Sequence, residues 1–278
     1  MGSYVRPIEL AAALQALAEA PRVVVAGATD HYPARVEREP DEAILDISAV
    51  DGLRRIVETD AGWRIGALVT WTDVADRDLP PAFDGLRRAA RAIGGRQVQN
   101  RATVCGNVCN ASPAADGVPN LLVLDAAVEL ASTRGTRLVP LATFITGNRA
   151  TVRAPDELVT ALEIPRPPAG ARSTFLKLGA RAYLVISIVS VAALIDGEPG
   201  GPVRDARIAV GACSPVPVRL GELESVLSGR GLDRSLVDAV LPGHLAGLRP
   251  IDDVRAPAAY RLEAAGIMVR RALAELAA

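Results

Sequence analysis

Two stretches of this chain gather groups that can hold a phosphorylated ligand without acid–base machinery. The first, "VVVAGATDHYP" at residues 23–33, is an apolar run that breaks into small residues. Val25, Ala26, Gly27 and Ala28 would present successive backbone N–H groups, and their small side chains would let an anion approach. The polar residues Thr29, Asp30 and His31 follow, and then Tyr32. The dinucleotide fingerprint G-x-G-x-x-G is absent and no clear helix follows Asp30, so a Rossmann turn is not indicated. Taken alone, an ordinary strand-to-loop turn explains this segment as well as a phosphate nest does. The second stretch, "TVCGNVCNASPAADGVP" at residues 103–119, concentrates Thr103, Gly106, Asn107, Asn110, Ser112 and Asp116. Hydroxyls and amides can bind phosphate and ribose oxygens, and Gly106 permits close backbone approach. A capped surface loop is the plainer alternative, with Asp116 near the N-cap of the next helix.

Other chemistries find less support. The chain has three cysteines, Cys105, Cys109 and Cys213, and two histidines, His31 and His244. Iron–sulfur clusters normally take four thiolates, and a structural zinc site takes four ligands. No metal site is therefore expected. Nucleophilic catalysis needs a base beside its nucleophile, and no recognisable Ser–His or Cys–His signature is present.

The surrounding elements are those of a globular chain. Of 278 residues, 50% are apolar and 23% charged, which is too hydrophobic for disorder. A net charge of −1 gives no basic footprint for nucleic acid or a membrane surface. The longest strongly apolar run, Leu184 to Ile195, is shorter than the roughly 20 residues of a spanning helix and reads as a strand buried on both faces. No secretory signal is evident, and a cytoplasmic location is expected.

Leu10, Leu14 and Leu17 predict a first helix, and Phe83, Leu86, Ala90 and Ile93 predict another ending at Gly94-Gly95. Strands are expected at "RVVVAGATD", "EAILDIS" and "GWRIGALV", and then near Ala127, Leu138 and Leu158. The stretch from Gly94 to Pro119 shows little periodicity and reads as a long irregular, functional segment. "EIPRPPAGARS" looks like a linker. Beyond it come strands in "STFLKLGAR", "YLVISIVSVAALID" and "DARIAVGACS", then helices near Leu220–Leu227, Leu232–Val240 and Ala258–Leu276. The plan is α+β twice over.

Together these blocks resemble, in order and over most of the chain, the FAD-binding (medium) subunit of the molybdenum hydroxylases, the xanthine dehydrogenase and carbon monoxide dehydrogenase family. "VAGATDHYP" resembles that family's first flavin loop, usually Ala-Gly-Gly-Thr-Asp. "ATVCGNVCNASPAADGVPNLLVLDAAVEL" resembles its second, usually Thr-Ile-Gly-Gly-Asn followed by Ala-Ser-Pro and Asp. "FLKLGARAYLVISIVSVAAL", "RIAVGACSPVPVRL" and "DDVRAPAAYRLEAAGIMVRRAL" look like the family's C-terminal domain.

The resemblance implies an FAD domain of the vanillyl-alcohol oxidase-like type at residues 1–168, made of two α+β subdomains. A small α+β C-terminal domain at 172–278 would follow. It implies non-covalent FAD, with Val25, Ala26, Gly27, Ala28, Thr29, Asp30, His31 and Tyr32 cradling the pyrophosphate through backbone groups. Thr103, Gly106, Asn107, Asn110 and Asp116 would hold pyrophosphate, ribitol and ribose. Lys177 would approach the flavin, Ile186 would lie beside the isoalloxazine and Val159 near the adenine. It implies no catalytic acid or nucleophile here, only a relay. A molybdopterin-binding large subunit oxidises substrate, a [2Fe–2S] small subunit passes single electrons, and FAD collects two for an acceptor.

Two positions depart from the family pattern. Ala28 and Cys105 each replace a glycine, and if either glycine needs φ > 0, a side chain there costs on the order of 1 kcal/mol or more. Two other functions fit the same residues: a free-standing FAD-dependent oxidoreductase in biosynthesis, and a scaffold whose flavin site was lost through those replacements.

Overall fold

A computed structural model describes residues 2–35 and 41–278. The chain opens with β1 (Tyr4–Val5), α1 (Leu10–Glu19), β2 (Val23–Val25) and β3 (Ile44–Asp46). These strands form a three-stranded parallel sheet in the order β1-β3-β2. Helix α1 packs on it through buried Ala13, Ala16 and Leu17, the i, i+3, i+4 stripe that the leucine spacing foreshadowed.

A five-stranded antiparallel sheet follows, ordered β4-β5-β10-β6-β7. Its strands are β4 (Ile56–Thr59), β5 (Gly62–Gly66), β6 (Ala127–Ser132), β7 (Gly135–Pro140) and β10 (Leu158–Pro165). The helices between β5 and β6 are α2 (Trp71–Asp76), α3 (Asp84–Ala92), α4 (Arg96–Gln99), α5 (Val104–Asn110) and α6 (Gly117–Val123). Thr70 starts α2 with a reciprocal capping box: its hydroxyl accepts from the Asp73 N–H, and the Asp73 carboxylate accepts from the Thr70 N–H. Between β7 and β10 lie α7 (Leu141–Phe144) and the small hairpin β8 (Ile145–Gly147) and β9 (Ala150–Thr151).

The third sheet is antiparallel, ordered β11-β12-β13-β14: β11 (Ala171–Leu178), β12 (Val189–Gly197), β13 (Val203–Gly211) and β14 (Val218–Arg219). Helices α8 (Gly221–Leu227) and α9 (Ala258–Leu276) complete the chain. All nine residues of β12 are buried because it is covered twice. Ala192 and Leu194 face the large core shared with the earlier elements, whereas Val191, Ala193 and Ile195 face a second core against α9. The two-residue alternation of a strand sends successive side chains to opposite covered faces, so both faces of Val191–Ile195 are apolar.

Three sequence expectations need correction. The stretch 94–119 is not irregular: it holds α4, α5 and the start of α6, each too short to show a helical period. The apolar run does not become strand at Tyr183; the strand begins at Val189, and Tyr183, Leu184 and Ile186 stand exposed on the connection from β11. Residues 234–239 form a 3-10 helix, not an α-helix, starting where the Asp233 carboxylate accepts from the Ser235 N–H.

Candidate functional site

The strand β2 delivers the chain into a turn at Ala26–Asp30. Ala28 lies in the left-handed region with φ 55°, so the first replaced glycine does sit where a side chain is strained. The turn continues as Tyr32 N–H donates to the Ala28 carbonyl and Ala34 N–H to that of Asp30. Among the described residues, the N–H groups of Gly27, Ala28, Thr29, Asp30 and His31 donate to no protein acceptor. Five successive uncommitted donors, with a handedness change among them, are the makings of an anion nest.

That turn abuts the second segment directly. A Cβ on Gly27 would fall 1.9 Å from the Arg101 carbonyl oxygen, so only glycine lets the two backbones meet there. A cavity of about 280 Å³ opens at this junction, lined by Ala26, Gly27 and Thr103 together with Ser48, Arg55 and Arg101. Arg55 and Arg101 make no ion pair or side-chain hydrogen bond among the described residues, leaving two uncommitted cations at its wall. The residue types fit a diphosphate: bare amides, a hydroxyl, free guanidinium groups, and a floor no larger side chain could share. Ser48, Arg55 and Arg101 escaped the reading of the sequence, since no local motif marks them.

In the second segment, Thr103 caps α5 by accepting from the Gly106 N–H at 2.9 Å. A side chain at Gly106 would press on that hydroxyl, at 2.7 Å. Asn107 accepts from the Gly117 N–H and ties α5 to α6. Cys105 lies inside α5 with helical φ, fully buried, and burial drives its thiol well above the usual range. The second replaced glycine therefore needed no special backbone conformation, and the cysteine is a core side chain.

Asp116 precedes α6 but does not cap it. Its carboxylate is buried, accepting from Lys177 Nζ at 2.6 Å and from the Ser187 hydroxyl at 2.5 Å. Burial raises its pKa, and the ammonium and hydroxyl offset part of that rise. Lys177 lies on β11, and Ser187 just precedes β12, so both ends of the 179–186 connection are fastened to the second segment. Ile186 is 52% exposed on that connection, and Leu184, with φ 55°, leans on Gly95. Ser187 was missed because serine in a strand-like run carries no signal of its own.

Asp30 and Asn110 also meet. The Arg149 guanidinium donates to Asp30 Oδ2 at 2.6 Å and to Asn110 Oδ1, so one side chain spans the two segments. His31 is turned toward Glu42, its Nε2 3.3 Å from Oε1; burial, then the neighbouring Arg35, holds its pKa below the usual value against the pull of Glu42. Val159 stands apart: its side chain is 4% exposed in the core of β10, next to a register shift at Ala161. The structure thus joins the first segment to the second at Gly27 and through Arg149, and joins the second to the 179–186 connection through Asp116. Among the described residues no group of three or more His, Cys, Asp or Glu could hold a metal, and no helix is long and apolar enough to cross a membrane.

An α+β chain with a nest at the mouth of one sheet and a lysine–aspartate pair from another is the architecture of a flavin-binding subunit. Residues 1–167 match the family described as the FAD binding domain in molybdopterin dehydrogenase, and residues 174–276 match the CO dehydrogenase flavoprotein C-terminal domain. The chain belongs to the FAD-binding medium subunits of the molybdenum hydroxylases, as the sequence blocks led us to expect. It is 31% identical over 290 residues to the xanthine dehydrogenase FAD-binding subunit of Escherichia coli O157:H7, covering 99% of this chain and 96% of that one. It is 30% identical over 233 residues to the carbon monoxide dehydrogenase medium chain of Afipia carboxidovorans, covering 84% and 80%. Its fold superposes on a chain of the reconstituted CO dehydrogenase from Oligotropha carboxidovorans with a TM-score of 0.90 at 28% identity, covering 100% and 98%.

Proposed function

We propose that this chain holds FAD non-covalently between the 25–32 and 103–116 segments and relays electrons within a molybdenum hydroxylase complex. The five successive N–H groups of Gly27 to His31 that find no acceptor among the described residues, with Gly27 and Thr103 on one cavity wall, carry the reading. In this assignment the amides of Gly27 to His31 bind the diphosphate, and Thr103 adds a hydroxyl. Asp116 accepts from a ribityl or ribose hydroxyl, Lys177 directs its charge toward the flavin, and Ile186 shields one ring face. Val159 contributes only its backbone, near the adenine. FAD supplies two-electron chemistry that can be reached one electron at a time. The protein binds and orients it, and needs no nucleophile.

The partners we infer are a molybdopterin-binding large subunit and a [2Fe–2S] small subunit, since 84% of this chain aligns with a protein named as the medium chain of a carbon monoxide dehydrogenase. Three free cysteines suit a reducing compartment, and we assign the cytoplasm. The domains follow as 1–168 and 172–278. Purified protein should be yellow, with the flavin released into the supernatant by acid precipitation. Colourless protein that refuses added FAD overturns the reading. Co-expression with the two partner subunits should yield a complex; isolated protein oxidising an organic substrate unaided would instead favour a free-standing oxidoreductase.

A further inference from the structure

We infer that Arg149 is a positioning residue whose charge cancels the carboxylate of Asp30, making the first loop able to accept a diphosphate. The inference rests on the flavin reading above. Asp30 is part of the nest itself: its own N–H is one of the five uncommitted donors. A bare carboxylate at that place would repel an incoming dianion and undo much of what the amides offer.

Arg149 comes from far along the chain, 119 residues away, on the turn of the β8–β9 hairpin. Its backbone is fixed by two features: φ of 59°, in the left-handed region, and its own N–H donating to the Ala111 carbonyl at 2.9 Å. The guanidinium reaches Asp30 Oδ2 at 2.6 Å and uses Asn110 Oδ1 as a second anchor. Asn110 adds no charge, so one cation remains to balance one acid. The second segment repeats the pattern, for its only acid, Asp116, is matched by Lys177. Each flavin segment thus carries one carboxylate and borrows one cation from a later part of the chain.

Both partners are about half exposed, with side-chain accessibilities of 55% for Arg149 and 56% for Asp30. The effect is therefore moderate and salt-sensitive. The test uses the full chain freed of flavin, with FAD affinity read by fluorescence quenching. Arg149→Gln should weaken FAD about tenfold at low salt, and the loss should shrink in about 1 M salt. Asp30→Asn/Arg149→Gln should recover most of that affinity, because it removes the uncompensated charge. Arg149→Asn, which tolerates positive φ, serves if the glutamine variant does not fold.

A double variant as weak as Arg149→Gln would show that Arg149 is only a mechanical latch, and this would overturn the inference. Affinity for Arg149→Gln within twofold of the parent would also overturn it. If the parent protein itself takes up no FAD, the flavin reading falls first, and the inference falls with it.

Discussion

Asp116 and Asp253 each accept a hydrogen bond from a cation, the half-buried Lys177 in one case and the buried Arg261 in the other, yet their carboxyl groups shift in opposite directions. At Asp253 desolvation pushes upward, but it is outweighed by the Arg255 and Ala256 N–H groups and by two guanidinium groups, which hold the carboxyl at about 2. Arg261 in turn donates to the carbonyls of Ile188 and Ala212, fastening α9 to the third sheet. Asp116 lies deeper, receives only an ammonium and a hydroxyl, and takes no backbone donor, so burial wins and its pKa rises. Depth of burial together with the number and kind of donors, not the presence of a cation, decides the direction. A carboxylate fully supplied by the fold is a structural tie. One that is undersupplied keeps acceptor capacity for a ligand, which is where a site is expected.

The largest expected effect tests the structural side. Arg261→Met removes one of the two guanidinium partners of Asp253 and the donor that the Ile188 and Ala212 carbonyls share, so unfolding by denaturant should lose about 2–4 kcal/mol. Lys177→Met should cost less, about 1–2 kcal/mol, because it takes away a single donor to Asp116, whereas Arg261 serves a carboxylate and two carbonyls. Its mark should fall on the cofactor, with FAD bound about tenfold more weakly in a fluorescence titration, a loss worth about 1.4 kcal/mol. Equal losses of stability from the two variants would erase the distinction between tie and site.

The pH dependence of stability should separate the two acids by sign. The folded pKa of Asp253 is depressed, so its contribution is complete above the ordinary carboxylate range and disappears as pH falls toward about 2. Asp253→Asn should remove that acid limb from a series of denaturation midpoints. The folded pKa of Asp116 is raised, so its contribution is present below the ordinary range and is lost as pH rises through the raised value. Asp116→Asn should therefore gain on the parent as pH rises from about 3 to neutrality.

The smallest effects compare the two replaced glycines. Cys105→Gly puts glycine inside α5 and removes a buried side chain, so it should destabilise by about 1–2 kcal/mol. Ala28→Gly relieves a left-handed alanine and should stabilise by about 1 kcal/mol. Thermal midpoints moving in the same direction would contradict the backbone conformations described for the two sites.

Much of the fold was readable because its signals are local. The helical stripe of α1, the apolar strands β2 and β12, and the small-residue turn at Ala26–Asp30 each follow from side chains a few residues apart. The helices α4 and α5 were not readable, since four and seven residues span less than two turns and cannot display a period, whereas the apolar run from Asn120 already pointed to α6. The exposed Tyr183–Ile186 segment misled for the opposite reason: an apolar run marks burial only if something covers it, and β12 has α9 and the large core where the connection has neither.

By itself the sequence determined which residues could bind and which family pattern they follow, because a loop's chemistry lies in its own residue types. It could not determine how those residues are charged or held. Arg149 meets Asp30 across 119 positions and Lys177 meets Asp116 across 61, and spacing carries no information over such distances. Those pairings, the upward shift of the Asp116 pKa and the divergent fates of Ala28 and Cys105 depend on what packs against each group. Only the tertiary structure sets that, since desolvation and donor geometry are properties of a neighbourhood and not of a residue.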